Sequence, residues 1–149
     1  MIQYIDMHAV LQASVSGVYA DLVTRPTGRV VRERIEQANA GRERTGEVTV
    51  ARMDFTGVGC IDYSCADEIV AKLLRDRFAV LVLSGITDGH REAIEPVLSG
   101  HGLAALIERA DGTLESLGAA AAAAALLDEL VARRLAAPLP GGTYALTLA

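Results

Sequence analysis

Apolar side chains recur along this chain in two different periods, and the alternation between them predicts the architecture. Phe78-Ala79-Val80-Leu81-Val82-Leu83 is an unbroken apolar run with branched residues, the pattern of a central strand covered on both faces. Upstream, Glu47 to Phe55 alternates in part through Val48, Val50, Met53 and Phe55, as a strand entering a core does. Between the two, Asp62 to Asp76 places Ile69, Val70, Leu73 and Leu74 on one stripe of an amphipathic helix. Strand, helix and strand in this order make a βαβ unit, whose crossover is expected to be right-handed.

The same alternation continues downstream. Asp88 to Ser99 predicts a helix with Ile94, Val97 and Leu98 turned inward and Pro96 as an awkward interior residue, stopped at His101-Gly102. Leu103 to Glu108 reads as a third strand, and Asp111-Gly112 predicts a hairpin that returns through Thr113 to Leu117. Ala119 to Leu135 is helical by propensity, Pro138 to Gly142 turns the chain, and Thr143 to Leu148 predicts an edge strand. The first forty residues read as helical after a short start. Met7 to Val23 is broken at Thr24 to Gly28, and a second helix, Gly28 to Ala38, is capped by Thr27 and ended by Asn39, Ala40 and Gly41. The expected fold is a single α/β domain over 1–149, a mixed sheet of about four to six strands flanked by helices, with a C-terminal helix plus edge strand.

At 149 residues the chain has the size of one domain and buries enough surface to fold without a metal or disulfide staple. A hydrophobic fraction of 51% with 22% charged residues excludes wholesale disorder. Only 4% of residues are aromatic, none is Trp, and the formal net charge is −5, which together argue against a base-stacking platform and against broad phosphate-backbone binding. The two cysteines, Cys60 and Cys65, lie five apart with no His nearby, too few for a disulfide framework or a metal site. Small buried thiols in a reducing compartment are the expectation. No Lys or Arg precedes Arg25 and Asp6 interrupts the first apolar stretch, so no export signal is expected. The longest apolar stretch, Leu117 to Leu127, is mostly Ala and is closed by Asp128 and Glu129, short of a membrane span. The expected location is the cytoplasm.

The informative stretch runs Met53-Asp54-Phe55-Thr56-Gly57-Val58-Gly59-Cys60-Ile61-Asp62-Tyr63-Ser64-Cys65-Ala66-Asp67. A strand ends in Asp-Phe-Thr-Gly-Val, a short apolar loop follows, and Ile-Asp with a hydroxyl residue opens the next helix. This resembles the signature of STAS domains, the fold of anti-sigma-factor antagonists, and more closely the STAS-like branch of short bacterial proteins, in which Ser64-Cys65-Ala66-Asp67-Glu68 matches the helix start. The resemblance covers roughly 25–108, leaving 111–149 as hairpin return, Ala-rich helix and strand. It implies a non-enzymatic regulator, without cofactor, that binds a switch kinase or an anti-sigma-like protein through the surface around that helix start. A Ser or Thr directly after the Asp is the phosphorylated switch in such proteins. Here Asp62 matches the Asp, but Tyr63 follows it and Ser64 comes one place later, so Ser64 is the candidate for phosphorylation.

The physics of the helix start stands beside that resemblance. The first N–H groups of a helix lack intrahelical partners and carry partial positive charge. Asp62 or Ser64 can cap them, and Ser64 with Asp67 has capping-box spacing. A phosphate on Ser64 would suit that end but would stand beside Asp54, Asp62, Asp67 and Glu68, in a stretch that holds no basic residue. Such an acidic face suits either plain solvation or a basic partner. Arg25 and Arg29, at the start of the second helix, are the candidates for gripping an anion. His8, His90 and His101 are scattered, so neither Cys60 nor Cys65 has an evident base, and no Gly-rich phosphate loop is present, which points away from an enzyme. A competing reading makes the tail the active part. Leu126 to Leu135 and the following turn and strand are similar to the last helix and wing of a winged-helix domain, with Arg133 and Arg134 facing DNA. The acidic balance of 111–149 opposes it. The alternative for that helix is to cover the sheet, or to set its small-residue stripe against a second copy as a homodimer.

Overall fold

Four short parallel strands stand side by side in chain order: β1 (Ile2–Asp6), β2 (Val50–Asp54), β3 (Val80–Ser84) and β4 (Ala104–Glu108). A fifth, β5 (Leu114–Gly118), returns antiparallel to β4 through the Asp111-Gly112 turn. The computed structural model describes residues 2–15, 20–38 and 49–147. The register is simple, with Ile2 opposite Val50 and Val50 opposite Val80. The α/β class, the mixed sheet and the hairpin are those the sequence predicts.

Strand order that follows chain order has one consequence for the helices. Successive parallel crossovers of a single hand all leave to the same face, and here they do. Helices α1 (Met7–Ser14), α2 (Arg25–Ala38) and α5 (Asp88–Gly100) share one core with the helix that links β2 to β3. That linking helix comprises α3 (Tyr63–Cys65), a wider π turn (Ala66–Ala71) and α4 (Lys72–Asp76). Met7 and Leu11 of α1, Ile35 of α2, Ile69 and Leu73 of the linking helix and Ile94 and Leu98 of α5 close over Met53, Leu81 and Leu83. The run Phe78 to Leu83 is apolar on both sides because the other face is covered too. There Val80, Val82 and Leu106 meet Leu130 of α6 (Ala120–Ala132) and Ala136.

Four expectations need correction. The helix expected over Met7 to Val23 stops at Ser14, and Leu22 is extended and bridges Ile61; the short start before it is the strand β1, where Asp6 ends the strand and caps α1 by accepting the Ala9 N–H at 3.1 Å. Helix α2 begins three residues earlier than Thr27 capping requires. Pro26 sits in its first turn, where a missing N–H costs nothing, and the Thr24 carbonyl accepts the Gly28 N–H at 3.2 Å. The tail strand, β7 (Tyr144–Leu146), pairs antiparallel with β6 (Ala136–Pro138) in a separate two-stranded sheet rather than at the edge of the main one. It reaches the main sheet through one bridge, Thr113 to Ala145. Finally, Cys65 is buried but Cys60 is exposed. The expected helix stop at Asn39, Ala40 and Gly41, and the residues Glu47, Val48 and Leu148, lie outside the described residues.

Helix α6, the one similar to a winged-helix element, spends its apolar face on the sheet through Ala123 and Leu130, and Arg133 is ion-paired with Glu129. Pro96 is accommodated inside α5, which Thr87 starts with a capping box to His90. The turn into α6 depends on Gly118, whose φ is +106° and whose missing Cβ would stand 2.5 Å from the Leu103 carbonyl oxygen. Gly118→Ala is expected to lower unfolding free energy by about 2–4 kcal/mol in urea denaturation, strain and clash combined. Gly112→Ala, at φ +87° with open space around it, should cost only about 1 kcal/mol.

Candidate functional site

The helix start singled out in the sequence is built around one carboxylate. Asp62 caps α3: its Oδ1 accepts the Cys65 N–H at 2.8 Å and the Ser64 hydroxyl at 2.8 Å. Its Oδ2 accepts the Thr24 N–H at 2.9 Å, so the same side chain also holds the residue that begins α2. Backbone bonds from Leu22 to Cys60 (2.7 Å) and from Asp62 to Leu22 (3.0 Å) lay the two approaching segments side by side. Partial burial pushes the Asp62 carboxyl up, but these donors outweigh it and hold the group below the usual carboxylate range. The Cys65 thiol donates to the Thr24 carbonyl at 3.1 Å. Burial first, and then the Asp62 charge, push that thiol up to about 12, so it stays protonated and inert at neutral pH. The expected capping box between Ser64 and Asp67 does not form. Asp67 turns instead to Arg25 (2.9 Å) and to His101 (2.8 Å), and Asp62 takes the cap alone.

Beneath this junction lies the carboxylate that gathers the most cations among the described residues. Glu68 is fully shut from solvent, yet four cations converge on it. Lys72 reaches Oε2 at 3.0 Å, Arg25 reaches Oε2 at 2.7 Å, Arg32 reaches Oε1 at 3.1 Å, and Arg29 stands 3.8 Å from Oε1. Burial would raise its pKa, but hydrogen bonds from Lys72, Arg25 and Arg32 bring it down to about 2. The anion that Arg25 and Arg29 grip is therefore one the chain supplies itself. Gly28 permits the approach: a Cβ there would lie 3.1 Å from the Cβ of Glu68 and 3.2 Å from Cys65 Cα. The signal for this hub was present in the sequence, since Arg25, Arg29 and Arg32 fall on one stripe of α2 and Glu68 and Lys72 have i, i+4 spacing.

Around the hub the surface opens into a cleft of about 520 Å³ between the start of α2, the start of α3 and the C-terminal end of α5. Arg25, Tyr63, Ser64 and Asp67 line it together with Pro96, Val97 and His101. Tyr63 is 64% exposed, and Ser64 is half-buried. Four of the seven sequence candidates thus line the cleft, Arg25, Tyr63, Ser64 and Asp67, and Asp62 caps the helix start that carries Tyr63 and Ser64. Arg29 lies beside them over Glu68. Asp54 does not join them. It ends β2 on the α6 side of the sheet, accepting bonds from Thr56 (2.9 and 2.7 Å) and from the Tyr4 hydroxyl (2.7 Å). His101 completes the cleft and was not among the candidates, because its contact with Asp67 spans two helices that no local spacing relates.

His90 has a structural place. Buried against Phe55 at 5.6 Å, it accepts the Thr87 N–H at Nδ1 (3.0 Å), which assigns the proton to Nε2 and its bond to the Gly59 carbonyl at 2.6 Å. This pins the loop between β2 and α3 to α5. Among the described residues no group of three or more His, Cys, Asp or Glu could hold a metal ion, and no helix is long and apolar enough to cross a membrane. Comparison with family models, curated proteins and solved structures finds no match.

The Glu68 hub makes a pH prediction. Because its folded-state pKa lies near 2 against an ordinary 4.5, its charged form favours the fold fully above pH 4.5, and that contribution is lost as pH falls from 4.5 toward 2. Glu68→Gln should lower the stability at pH 7 by about 1–3 kcal/mol. It should also flatten the acid limb of stability between those two pH values, in urea titrations repeated along the pH series.

Proposed function

We propose that the protein is a non-enzymatic regulatory module of the cytoplasm that acts by protein–protein contact through the cleft around Tyr63. The observation that carries this reading is Tyr63 itself, a large side chain 64% exposed at a helix start that the underlying Asp62 and Glu68 hold rigidly in place. An aromatic presented on a fixed support, flanked by charges of both signs in Arg25 and Asp67, has the composition of an interface anchor. The tail supports the reading by its position, since α6 and the β6–β7 sheet pack on the opposite face and leave this junction open.

The resemblance of 53–68 to the STAS-like signature supplies the class of partner, a switch kinase or an anti-sigma-like regulator. The switch would be phosphorylation at Ser64. Its hydroxyl now donates to Asp62 at 2.8 Å. A phosphate there would end that bond and set two like charges against each other, changing the surface that Tyr63 dominates. Arg25, already bound to Asp67 and Glu68 through Nη1, is the guanidinium that lines the same cleft and would respond.

Affinity capture from the cytosol of the source cell tests the proposal. Wild type, Tyr63→Ala and Ser64→Asp are compared with Leu139→Ala, a control on the exposed tail turn. One protein should be retained by wild type and by the control and fall at least about tenfold with both cleft variants. Identical captures by all four would place the contact elsewhere and refute the reading.

A further inference from the structure

One residue of the junction is held in a conformation that its own side chain opposes. Thr24 has a φ of +70°, in the left-handed region that a β-branched residue rarely enters. The chain makes a corner there. Two residues earlier, Leu22 is fully buried and tied to the segment leading into α3, donating its N–H to the Cys60 carbonyl and accepting the Asp62 N–H. One residue later α2 begins, its first turn packed on Cys65 and Glu68. A second local conflict adds to the first. Arg25 is helical although it precedes Pro26, and a residue in that place is biased toward extended backbone.

Two of the bonds that hold this corner come from the start of α3. Asp62 Oδ2 accepts the Thr24 N–H at 2.9 Å, and the Cys65 thiol donates to the Thr24 carbonyl at 3.1 Å. Within the corner, the Thr24 hydroxyl donates to the Thr27 hydroxyl at 3.2 Å, and the Gly28 N–H reaches the Thr24 carbonyl, closing the first turn of α2. The bond to Asp62 is the strong one, because its acceptor is a carboxylate. Backbone strain of this kind and a charge-assisted hydrogen bond are comparable in size and opposite in sign. We propose that Asp62 and Thr24 form a latch between the two helix starts, through which a charge arriving at Ser64 is relayed to the first turn of α2 and so to Arg25. Ser64 donates to Oδ1 of the same carboxylate whose Oδ2 holds Thr24. A phosphate on Ser64 replaces that donor with a like charge and turns Asp62 off Thr24. Thr24 then relaxes to negative φ, the Gly28 bond opens, and Arg25 leaves Asp67 and Glu68, which alters the wall of the cleft. Glycine would take this corner at no cost, whereas threonine makes the closed state conditional on Asp62. The inference rests on the reading of Ser64 as the switch of the cleft and names the route by which the switch acts.

Hydrogen exchange of the full chain, followed by NMR at the Gly28 N–H, tests the latch without any partner. Gly28 should exchange faster than Val82 of the central strand β3, the reference for global unfolding, which marks a local opening. Thr24→Gly, which removes the strain, should slow Gly28 exchange at least about threefold. Asp62→Asn leaves one acceptor oxygen where Thr24, Ser64 and Cys65 all donate, and should speed it at least about tenfold. Adding Thr24→Gly to Asp62→Asn should bring no slowing, because Thr24 is already free to relax. Ser64→Asp should speed Gly28 exchange about tenfold in the wild-type chain and less than about threefold in Thr24→Gly. Thr24→Gly is a stabilising change, so its outcome decides the matter even if Asp62→Asn unfolds. Gly28 exchange equal to that of Val82, Thr24→Gly without slowing, a slowing that survives Asp62→Asn, or Ser64→Asp without effect would each overturn the latch. Failure of the reading above shows differently: capture is then indifferent to Ser64→Asp while Gly28 exchange still responds to it.

Discussion

A carboxylate shut away from water must be matched by positive charge or surrender its own, and Glu68 meets that condition by drawing in three side chains of α2 and one of α4. The balance is local and directional. The arginines reach Glu68 only if α2 lies across the linking helix at one distance and one rotation, and Gly28 sets that distance by bringing the backbone of α2 within reach of Cys65. A buried ion cluster of this kind is a poor source of net stability compared with apolar packing, but it discriminates strongly among alternative packings. The helical layer is apolar almost everywhere else, and apolar contacts alone tolerate sliding. Glu68 specifies the alignment.

The π turn belongs to the same constraint. Over Ala66–Ala71 the linking helix passes between α2 and α5 while resting on the sheet, and Ala66, Glu68, Ile69, Val70 and Ala71 are all buried there. A regular helix cannot turn so continuous a run of residues inward toward one neighbour. Enclosure by the sheet and two helices explains the run, and the widened turn lies where all three meet. The start of α3 is thereby held from below by Glu68 and from the side by Asp62, while His90 fixes the loop that leads into it. Rigidity of the support is what turns an exposed Tyr63 into a defined surface feature.

Much of the fold was legible because its signals are short in range. The apolar run of β3, the stripe Ile69, Val70 and Leu73, and the Asp111-Gly112 turn each report on a few consecutive residues, and each has its expected place. What escaped depends on partners distant along the chain. Strand β1 is too brief to carry a period and exists because β2, some fifty positions later, pairs with it. Helix α2 starts early because the carboxylate that holds Thr24 comes from Asp62. In the site, Asp62, Tyr63 and Ser64 were readable as a helix start, whereas Asp54 looked equivalent in sequence and was separated from them by the alternation of the strand. His101 was visible only as an ordinary polar side chain and Glu68 only as half of an i, i+4 pair with Lys72, since their full roles arise where two helices cross.

The winding of the sheet carries a consequence for recognition. Open α/β sheets commonly hold small molecules in a crevice at the strand ends, where neighbouring crossovers depart to opposite sides. Here β1 to β4 stand in chain order and their connecting helices all lie in one layer, so no crossover divides the strand ends, and the opening of about 510 Å³ beyond Ser84 and Glu108 is framed instead by the hairpin and by Arg91, Arg109 and Glu115. Whatever settles at that end of the sheet meets paired charges before it meets the strands.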